Sequence, residues 1–284
     1  MCFGVRDAIA LALEHREIAP LTILGELVHN PAVLNELRAR GIRIEADVTQ
    51  VQTRTVMVTA HGASERSLAA TRALGLRVVE ATCPLVRVAH RAIHALIRDG
   101  YHPVIIGQRG HVEVRGLTED LEHFDIVQNK DEVRALGERP RFGVAAQTTQ
   151  PLERVQRLVG LIREQFPQSQ VRFIDTVCLP TKQRQNAAIE LARQCDVVIV
   201  IGGANSNNTR ELVSTCLTQC AVVHHVQSDA DLRADWFAGA DTVGITAGTS
   251  TPDPVIDRID QRIRDLTAPR GAAPEASEIE EIVS

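Results

Sequence analysis

The amino-acid sequence predicts an α/β protein whose parallel sheets are covered by helices, built from three similar small α/β domains. Short β-branched apolar runs alternate with helical patterns along the chain, which is typical of βαβ units. Aromatic residues make up only 3 % of the 284 residues, so aliphatic side chains must build the cores. A cysteine followed by a helical pattern and two polar loops recurs three times, which indicates a threefold repeat.

The composition excludes several classes of protein. Hydrophobic residues make up 44 % and charged residues 24 % of the chain, as in globular proteins. The net charge is −5 and no run of lysines and arginines is present, so we expect no nucleic-acid partner. No apolar stretch reaches the roughly 18 residues of a membrane-spanning helix, and the first residues lack a signal pattern. We therefore expect a cytoplasmic protein that does not bind membranes.

Eight apolar runs are predicted as strands. They span residues 21–24, 55–58, 76–80, 103–106, 142–144, 171–174, 197–201 and 242–245. Polar loops follow six of them, at residues 25–31, 60–64, 107–113, 146–149, 202–208 and 247–250. Loops at the carboxyl ends of parallel strands form the usual ligand face of α/β sheets, and helix N-termini there favour anions such as phosphates.

Three cysteines mark the repeat. Cys2, Cys83 and Cys178 each precede a helical pattern, at intervals of 81 and 95 residues, and two polar loops lie in each interval. The predicted domains are residues 1–82, 83–177 and 178–267. Residues 268–284 are rich in Ala, Pro and Glu without a periodic pattern, which predicts a disordered tail.

If the three domains turn their strand ends to a common centre, three thiols meet there. A helix N-terminus lowers the pKa of a thiol, so we expect thiolates at this centre. Three thiolates without an obvious fourth ligand suit a 4Fe–4S cluster with one open iron. The alternative is three separate buried cysteines. The remaining cysteines are interpreted as small buried hydrophobes in a reduced cytosolic protein; they are Cys195, Cys216 and Cys220.

The polar loops also supply hydrogen-bond donors suited to a multiply charged oxyanion. They are His29, His61, His111, Thr148, Ser206, Asn208 and Ser250. Glu113 lies two residues after His111, and a carboxylate there would repel an anion unless it acts as a proton donor. The alternatives are ordinary core histidines and a solvated surface glutamate.

Nine segments carry a resemblance to a known family. Among them are Ala81-Thr82-Cys83-Pro84 and Asn205-Ser206-Asn207-Asn208-Thr209. All nine lie at residues 2–8, 28–30, 60–62, 81–86, 110–114, 147–149, 176–185, 205–209 and 246–253. In this order they resemble the LytB or IspH family of 4-hydroxy-3-methylbut-2-enyl diphosphate reductases, and the resemblance extends over nearly the whole chain outside the tail.

The resemblance implies a trefoil of three α/β domains around a 4Fe–4S cluster with three cysteine ligands and one open iron. It implies reductive dehydroxylation of 4-hydroxy-3-methylbut-2-enyl diphosphate to isopentenyl and dimethylallyl diphosphate, with electrons from a ferredoxin or flavodoxin. The implied cluster ligands are Cys2, Cys83 and Cys178. The implied diphosphate ligands are His29, His61, His111, Ser206, Asn208 and Ser250. The implied catalytic residues are Glu113, Thr148 and His111.

The sequence departs from the family pattern at several positions. Gln108 replaces a histidine, Val112 a proline and Asn207 a serine, and Cys2 follows only Met1 where the family has a strand. A truncated start or a weakly held first ligand is therefore expected. Two alternatives stay open: a divergent paralogue acting on a related allylic diphosphate, and a non-redox diphosphate-binding module. A nucleotide-dependent oxidoreductase has only the 202–203 glycine pair in its favour, without the GxGxxG spacing.

Overall fold

Strands and helices alternate along residues 1–268, the part of the chain that this computed structural model describes. They form three separate parallel sheets. The predicted tail, residues 268–284, lies outside the described residues except for Ala268. None of the helices within residues 1–268 is long and apolar enough to cross a lipid bilayer.

The first sheet contains four parallel strands in the order β2-β1-β3-β4. The strands are β1 (Leu21–Leu24), β2 (Arg43–Glu45), β3 (Thr55–Val58) and β4 (Arg77–Glu80). The accompanying helices are α1 (Phe3–Ile18), α2 (Pro31–Ala39) and α3 (Glu65–Ala73), with a short 3-10 turn at Val48–Gln50. Asn30 starts α2 by accepting the main-chain N–H of Ala32, and Pro31 fits the first helical position.

The second sheet repeats this order as β6-β5-β7-β8, again with all strands parallel. The strands are β5 (His102–Ile106), β6 (Asp125–Val127), β7 (Arg141–Ala146) and β8 (Gln170–Phe173). The helices are α4 (Pro84–Arg98), α5 (Val112–Thr118), α6 (Lys130–Arg134) and α7 (Leu152–Gln165). The apolar face of α4 is buried through Ala89, Ile93 and Leu96, which lie at helical spacing.

The third sheet has three parallel strands in the order β10-β9-β11. The strands are β9 (Val197–Ile201), β10 (Val222–Val226) and β11 (Val243–Ala247). The helices are α8 (Leu179–Ala192), α9 (Asn207–Leu217) and α10 (Asp253–Thr267), with 3-10 turns at Asp229–Asp231 and Ala234–Phe237. The central strand β9 is buried along its whole length, as a β-branched run covered on both faces must be.

Each sheet has a hydrophobic cluster of its own. Typical members are Leu21, Ile23 and Met57 in the first, Ile106, Phe142 and Val144 in the second, and Ile199, Val226 and Ile259 in the third. Strands β4 and β8 each form one edge of their sheet and lead directly to Cys83 and Cys178. Within residues 1–268 no strand takes the matching place beside β11. Because the strands of each sheet are parallel, their carboxyl ends lie on one side of that sheet. Each sheet also has a hydrophobic core of its own.

The predicted α/β fold class is confirmed, and all eight predicted strands are present with small shifts at their ends. The sequence analysis missed β2, β6 and β10. The first two have only three residues each, and all three lie at sheet edges with mostly exposed or half-buried side chains; the buried ones are Val127 and Val226. Their apolar pattern is weak for that reason. The domain boundaries stay a prediction; the strands of each sheet lie within one predicted range.

Candidate active site

One cavity is lined by loops from all three sheets, at the carboxyl ends of their strands. The structure brings every site residue named in the sequence analysis to this cavity. They are Cys2, His29, His61, Cys83, His111, Glu113, Thr148, Cys178, Ser206, Asn208 and Ser250. Residues up to 248 positions apart in the chain therefore share one chemical environment.

The three cysteines of the cavity occupy equivalent positions. Each is the N-cap residue of a helix, α1, α4 or α8, and none of them caps its helix through the side chain. Each main-chain N–H donates to a carbonyl in a polar loop of the neighbouring strand. The pairs are Cys2 with Thr249 at 2.9 Å, Cys83 with Ala60 at 3.0 Å, and Cys178 with Thr148 at 3.0 Å. The Sγ atoms are thus left free at three helix N-termini.

The pKa values of two cavity thiols are higher than the sequence predicts. Burial raises the pKa of both Cys83 and Cys178, and the nearby charges of Cys2 and Glu113 act in the same direction. Main-chain N–H groups at the helix N-termini lower these pKa values, as expected, but removal from water is the larger effect, so the net shift is upward. Thr181, three residues after Cys178, places its Oγ1 3.0 Å from the sulphur. A bound cation would reverse this balance, since metal ions stabilise thiolates.

The donor set of the cavity fits an iron–sulfur cluster. All three thiols are free and half-buried, and thiolates are the ligands that such clusters use. Gly4 allows α1 to approach closely, because a Cβ atom at this position would lie 2.5 Å from Cys83 Sγ. The other three cysteines lie elsewhere: Cys216 and Cys220 are buried, as expected, whereas Cys195, contrary to that expectation, is only half-buried and lies shortly before β9.

Three histidine rings are in contact at one side of the cavity: His29 and His61 are stacked, and His111 meets both edge-on. The His29 and His61 rings are 4.6 Å apart, and both lie 5.3 Å from the His111 ring. Burial lowers the pKa of His61 well below its usual value, and His29 and His111 lower it further. Burial likewise lowers the pKa of His111 to about 4, together with the charges of His29 and Arg210. Both rings are therefore neutral at pH 7 in the free protein.

Hydrogen bonds fix how two of these rings present their protons. His29 Nδ1 lies 2.7 Å from a Glu26 carboxylate oxygen. His111 Nδ1 accepts the main-chain N–H of Glu113 at 3.1 Å, so its own proton resides on Nε2. Ring nitrogens of the three histidines lie within 4.8 Å of one another, close enough to share a metal ion or a multiply charged oxyanion.

Several polar groups of the cavity have no partner. His61 Nε2, Asn208 Nδ2 and Ser250 Oγ are buried without a hydrogen bond. Buried polar groups are almost always paired in native proteins, so a ligand with several acceptor oxygens would satisfy this set. Ser206, beside Asn208, caps α9 by accepting the main-chain N–H of Thr209 at 3.3 Å.

Glu113 is the one carboxylate in the cavity lining and is almost fully buried. It accepts the main-chain N–H of Thr148 at 2.7 Å and the Thr148 hydroxyl at 2.9 Å. Burial raises the pKa of Glu113 to about 7, although both bonds from Thr148 oppose this. A carboxyl with this pKa can hold and release a proton near neutral pH, as a general acid must.

Sequence reasoning missed several residues of the site. Asn207 and Thr149 line the cavity and are hydrogen-bonded to each other at 2.9 Å. Gly203 allows the loop after β9 to pack closely against the loop after β1, since a Cβ at Gly203 would lie 2.2 Å from the His29 carbonyl oxygen. Thr181 could have been found from its position three residues after a cysteine N-cap. The Asn207 and Gly203 contacts have no local sequence signal.

Comparisons with known proteins agree with this geometry. The family model described as LytB protein matches residues 1–264. The 4-hydroxy-3-methylbut-2-enyl diphosphate reductase of Pelobacter propionicus is 35 % identical over 267 residues, covering 93 % of this chain and 95 % of the relative. The reductase of Aquifex aeolicus is 34 % identical over 271 residues, covering 93 % of each chain.

Solved structures show the same architecture. The structure of the E-1-hydroxy-2-methyl-but-2-enyl-4-diphosphate reductase from Plasmodium falciparum superposes with a TM-score of 0.87 at 25 % identity, covering 95 % of this chain and 86 % of the other. A structure of (E)-4-hydroxy-3-methyl-but-2-enyl diphosphate reductase superposes with a TM-score of 0.67 at 34 % identity, covering 93 % and 96 %. The expected family and the three-domain trefoil are thereby confirmed: this chain belongs to the LytB protein family.

Proposed function

We propose that this chain reduces 4-hydroxy-3-methylbut-2-enyl diphosphate to isopentenyl and dimethylallyl diphosphate. Family membership supports this activity, because the relatives and solved structures carry the name of this reductase. One observation carries the proposal. A single cavity contains three free thiols, a group of unpartnered polar donors, and Glu113, which is close to both.

The three thiols are the proposed ligands of a 4Fe–4S cluster, which leaves one iron without a protein ligand. When bound, the cluster supplies electrons and a Lewis-acidic iron that weakens the allylic C–O bond. The proposed ligands are Cys2, Cys83 and Cys178, whose equivalent main-chain bonds hold all three N-cap positions around the cavity. A ferredoxin or flavodoxin is the proposed source of the two electrons.

The diphosphate is the proposed ligand of the polar groups. The neutral rings of His61 and His111 in the free protein each have one N–H to donate, and that of His111 is on Nε2. The unpartnered Asn208 Nδ2 and Ser250 Oγ add two further donors, and Ser206 lies beside them. The proposed set is His29, His61, His111, Ser206, Asn208 and Ser250. Fixing the diphosphate orients the other end of the substrate for reaction.

Glu113 is the proposed general acid. Its carboxyl proton passes to the leaving hydroxyl oxygen, the C–O bond breaks, and water departs. Two electrons and a second proton, which is added at an allylic carbon, complete the reduction to either product. Thr148 holds the carboxyl in place before the transfer, and its main-chain N–H and hydroxyl stabilise the carboxylate afterwards. His111 orients Glu113 by accepting its N–H.

Anaerobic purification followed by iron–sulfur reconstitution tests the proposal. We expect a brown protein that converts the substrate to both products with a chemical reductant. Cys83→Ser and Cys178→Ser should each lower the bound iron, whereas Cys195→Ser, outside the cavity, should not. Colourless protein after reconstitution would contradict the cluster. Pyrophosphate binding without turnover would favour a non-redox binding module, and turnover of another allylic diphosphate alone would indicate a divergent paralogue.

A further inference from the structure

The loops of the second sheet meet the first turn of α9 along a polar contact, here called the α9 seam. It consists of residues 107–108, 147–150 and 207–211. Asn207 Nδ2 donates to Thr149 Oγ1 at 2.9 Å, and Asn207 is almost completely buried. Thr149 is the neighbour of Thr148, which holds Glu113, and Asn207 lies between the proposed diphosphate ligands Ser206 and Asn208.

We propose that Asn207 is a positioning residue, which holds the acid pair Glu113 and Thr148 in register with the anion-binding turn at Ser206 and Asn208. This inference rests on the proposed function, because it assigns those two groups their chemistry. Asn207 lines the cavity, but its side-chain amide donates one N–H across the seam to Thr149. Its contribution is therefore to geometry between two groups that different sheets carry.

A second set of hydrogen bonds crosses the seam. Arg210 lies three residues after Asn207, on the same face of α9, and donates to Gln108 Oε1 at 2.6 Å. The main-chain N–H of Gln108 donates to Gln147 Oε1 at 2.9 Å, and Gln147 Nε2 reaches Thr149 Oγ1 at 3.3 Å. The contacts thus form a closed ring that begins and ends on the first turn of α9.

An ion pair stands behind this ring. Arg154 of α7 contacts Glu211 of α9 at 2.6 Å, and the Glu211 side chain is only 13 % exposed. Both α7 and the loop after β7 are thus bonded to α9. A shift of the turn at Ser206 and Asn208 therefore moves Thr149, and with it the neighbouring Thr148. An anion held by Ser206 and Asn208 would in this way fix the orientation of the Glu113 carboxyl. Small misplacements of a catalytic group reduce turnover more than binding.

Steady-state kinetics on anaerobically prepared holoenzyme test this role. Asn207→Ala and Thr149→Val each remove the contact, and each should lower kcat about tenfold while KM changes by less than about threefold. The double variant should be no slower than the slower single variant, because both lose the contact between Asn207 and Thr149. Thr149→Ser keeps the hydroxyl and should restore kcat, and Asn186→Ala, an exposed asparagine of α8, should match wild type.

Two kinetic outcomes would overturn the proposal. Effects of the two single variants that multiply in the double variant would show that Asn207 and Thr149 act independently. A loss confined to KM would show that Asn207 is a diphosphate ligand and not a positioning residue.

Hydrogen exchange provides a readout that needs no turnover. On the same preparations, inorganic pyrophosphate should slow exchange in both residues 206–209 and residues 147–150 of the wild-type chain. In Asn207→Ala the protection should persist at 206–209 and disappear at 147–150. Equal protection of both segments in wild type and variant would overturn the inference. Absent reductase activity with intact transfer of protection would reject the proposed function and leave the seam's role standing.

Discussion

Glu113 accepts two hydrogen bonds from Thr148, one from the main-chain N–H at 2.7 Å and one from the hydroxyl at 2.9 Å. Glu113 belongs to the first turn of α5, whereas Thr148 follows β7. Both bonds favour the ionised carboxylate, yet burial is the larger effect and leaves the pKa of Glu113 at about 7. Glu113 can therefore release its proton near neutral pH, and the two hydrogen bonds from Thr148 then stabilise the carboxylate.

The first prediction concerns Glu113→Gln, which keeps the shape of the side chain and one acceptor oxygen for the Thr148 N–H but removes the acidic proton. The bond to the Thr148 hydroxyl is kept only with its direction reversed, because the amide nitrogen donates. We expect kcat to fall by roughly 10²–10⁴-fold, the usual contribution of a positioned acid, with bound iron unchanged. Steady-state kinetics together with iron analysis measure both. Glu153→Gln, at an exposed position of α7, is the matched control and should behave as wild type. A kcat within about threefold of wild type would exclude Glu113 as the acid.

The second prediction uses the same variant to measure the cost of burying this carboxylate in cluster-free protein. The raised pKa of Glu113 means that the folded chain holds this proton more tightly than the unfolded chain. The stability linked to the proton is complete below about pH 4.5 and is lost as the pH rises through about 7. Glu113→Gln cannot ionise, so it should gain stability relative to wild type on going from pH 5 to pH 8, by ~3 kcal/mol at most.

Urea denaturation of both proteins at pH 5 and pH 8 gives this difference. Histidines of the unfolded chain also change charge between pH 5 and pH 8, but they are common to both proteins and cancel in the comparison. A stability difference that is the same at both pH values would show that Glu113 is ionised in the folded protein throughout.

The sequence predicts the features that depend on hydrophobic periodicity and on the order of strands and helices along the chain. Alternating apolar runs predict parallel sheets, and the carboxyl ends of parallel strands bring their loops together at one edge. Cys83 and Cys178 each follow an edge strand and begin a helix, so their convergence follows from repeated topology. The same holds for His29 and His111, which lie in equivalent loops after β1 and β5.

Features that depend on distance or on competition between effects could not be predicted. Asn207 and Thr149 are 58 residues apart, and no periodic pattern links them. The close approach of Gly203 to the His29 carbonyl depends on how two sheets pack. The direction in which the pKa of Cys83 shifts depends on how deeply the thiol is buried. Burial outweighs the helix N-terminus, so the pKa is raised, opposite to the shift expected from the sequence.

The third prediction concerns proton uptake on anion binding. The pKa of His61 lies well below its usual value because the ring is buried next to His29 and His111. A bound polyanion favours the charged form of each ring, so pyrophosphate binding at pH 7 should draw protons onto the histidines. Calorimetric titration in buffers of different ionisation enthalpy measures the number of protons taken up.

The informative comparison is with His61→Gln, because pyrophosphate carries titratable groups of its own that contribute equally to both proteins. The variant should bind more weakly and take up fewer protons, whereas the exposed His123→Gln should match wild type. Equal proton uptake in wild type and His61→Gln would mean that the anion binds to a neutral ring through its N–H alone.

The last prediction concerns Gly4, in the first turn of α1. A Cβ atom at this position would lie 2.5 Å from Cys83 Sγ and 3.3 Å from Cys83 Cβ, well inside contact distance. Gly4→Ala must therefore move the sulphur or the helix, at a cost of ~1–3 kcal/mol. We expect less iron per chain after reconstitution and a lower midpoint of thermal unfolding, although alanine is the better helix former.

Gly160→Ala is the matched control, since Gly160 lies within α7 and a Cβ there meets nothing within 4 Å. Alanine loses less backbone entropy than glycine on folding, so this variant should be more stable by ~0.5–1 kcal/mol, with iron content unchanged. The two substitutions are chemically identical and both occur in helices, so their opposite effects would isolate the contact with the Cys83 sulphur. If Gly4→Ala also gained stability and kept its iron, the sulphur would have room to move, and the tight fit of α1 against Cys83 would have no part in holding a cluster.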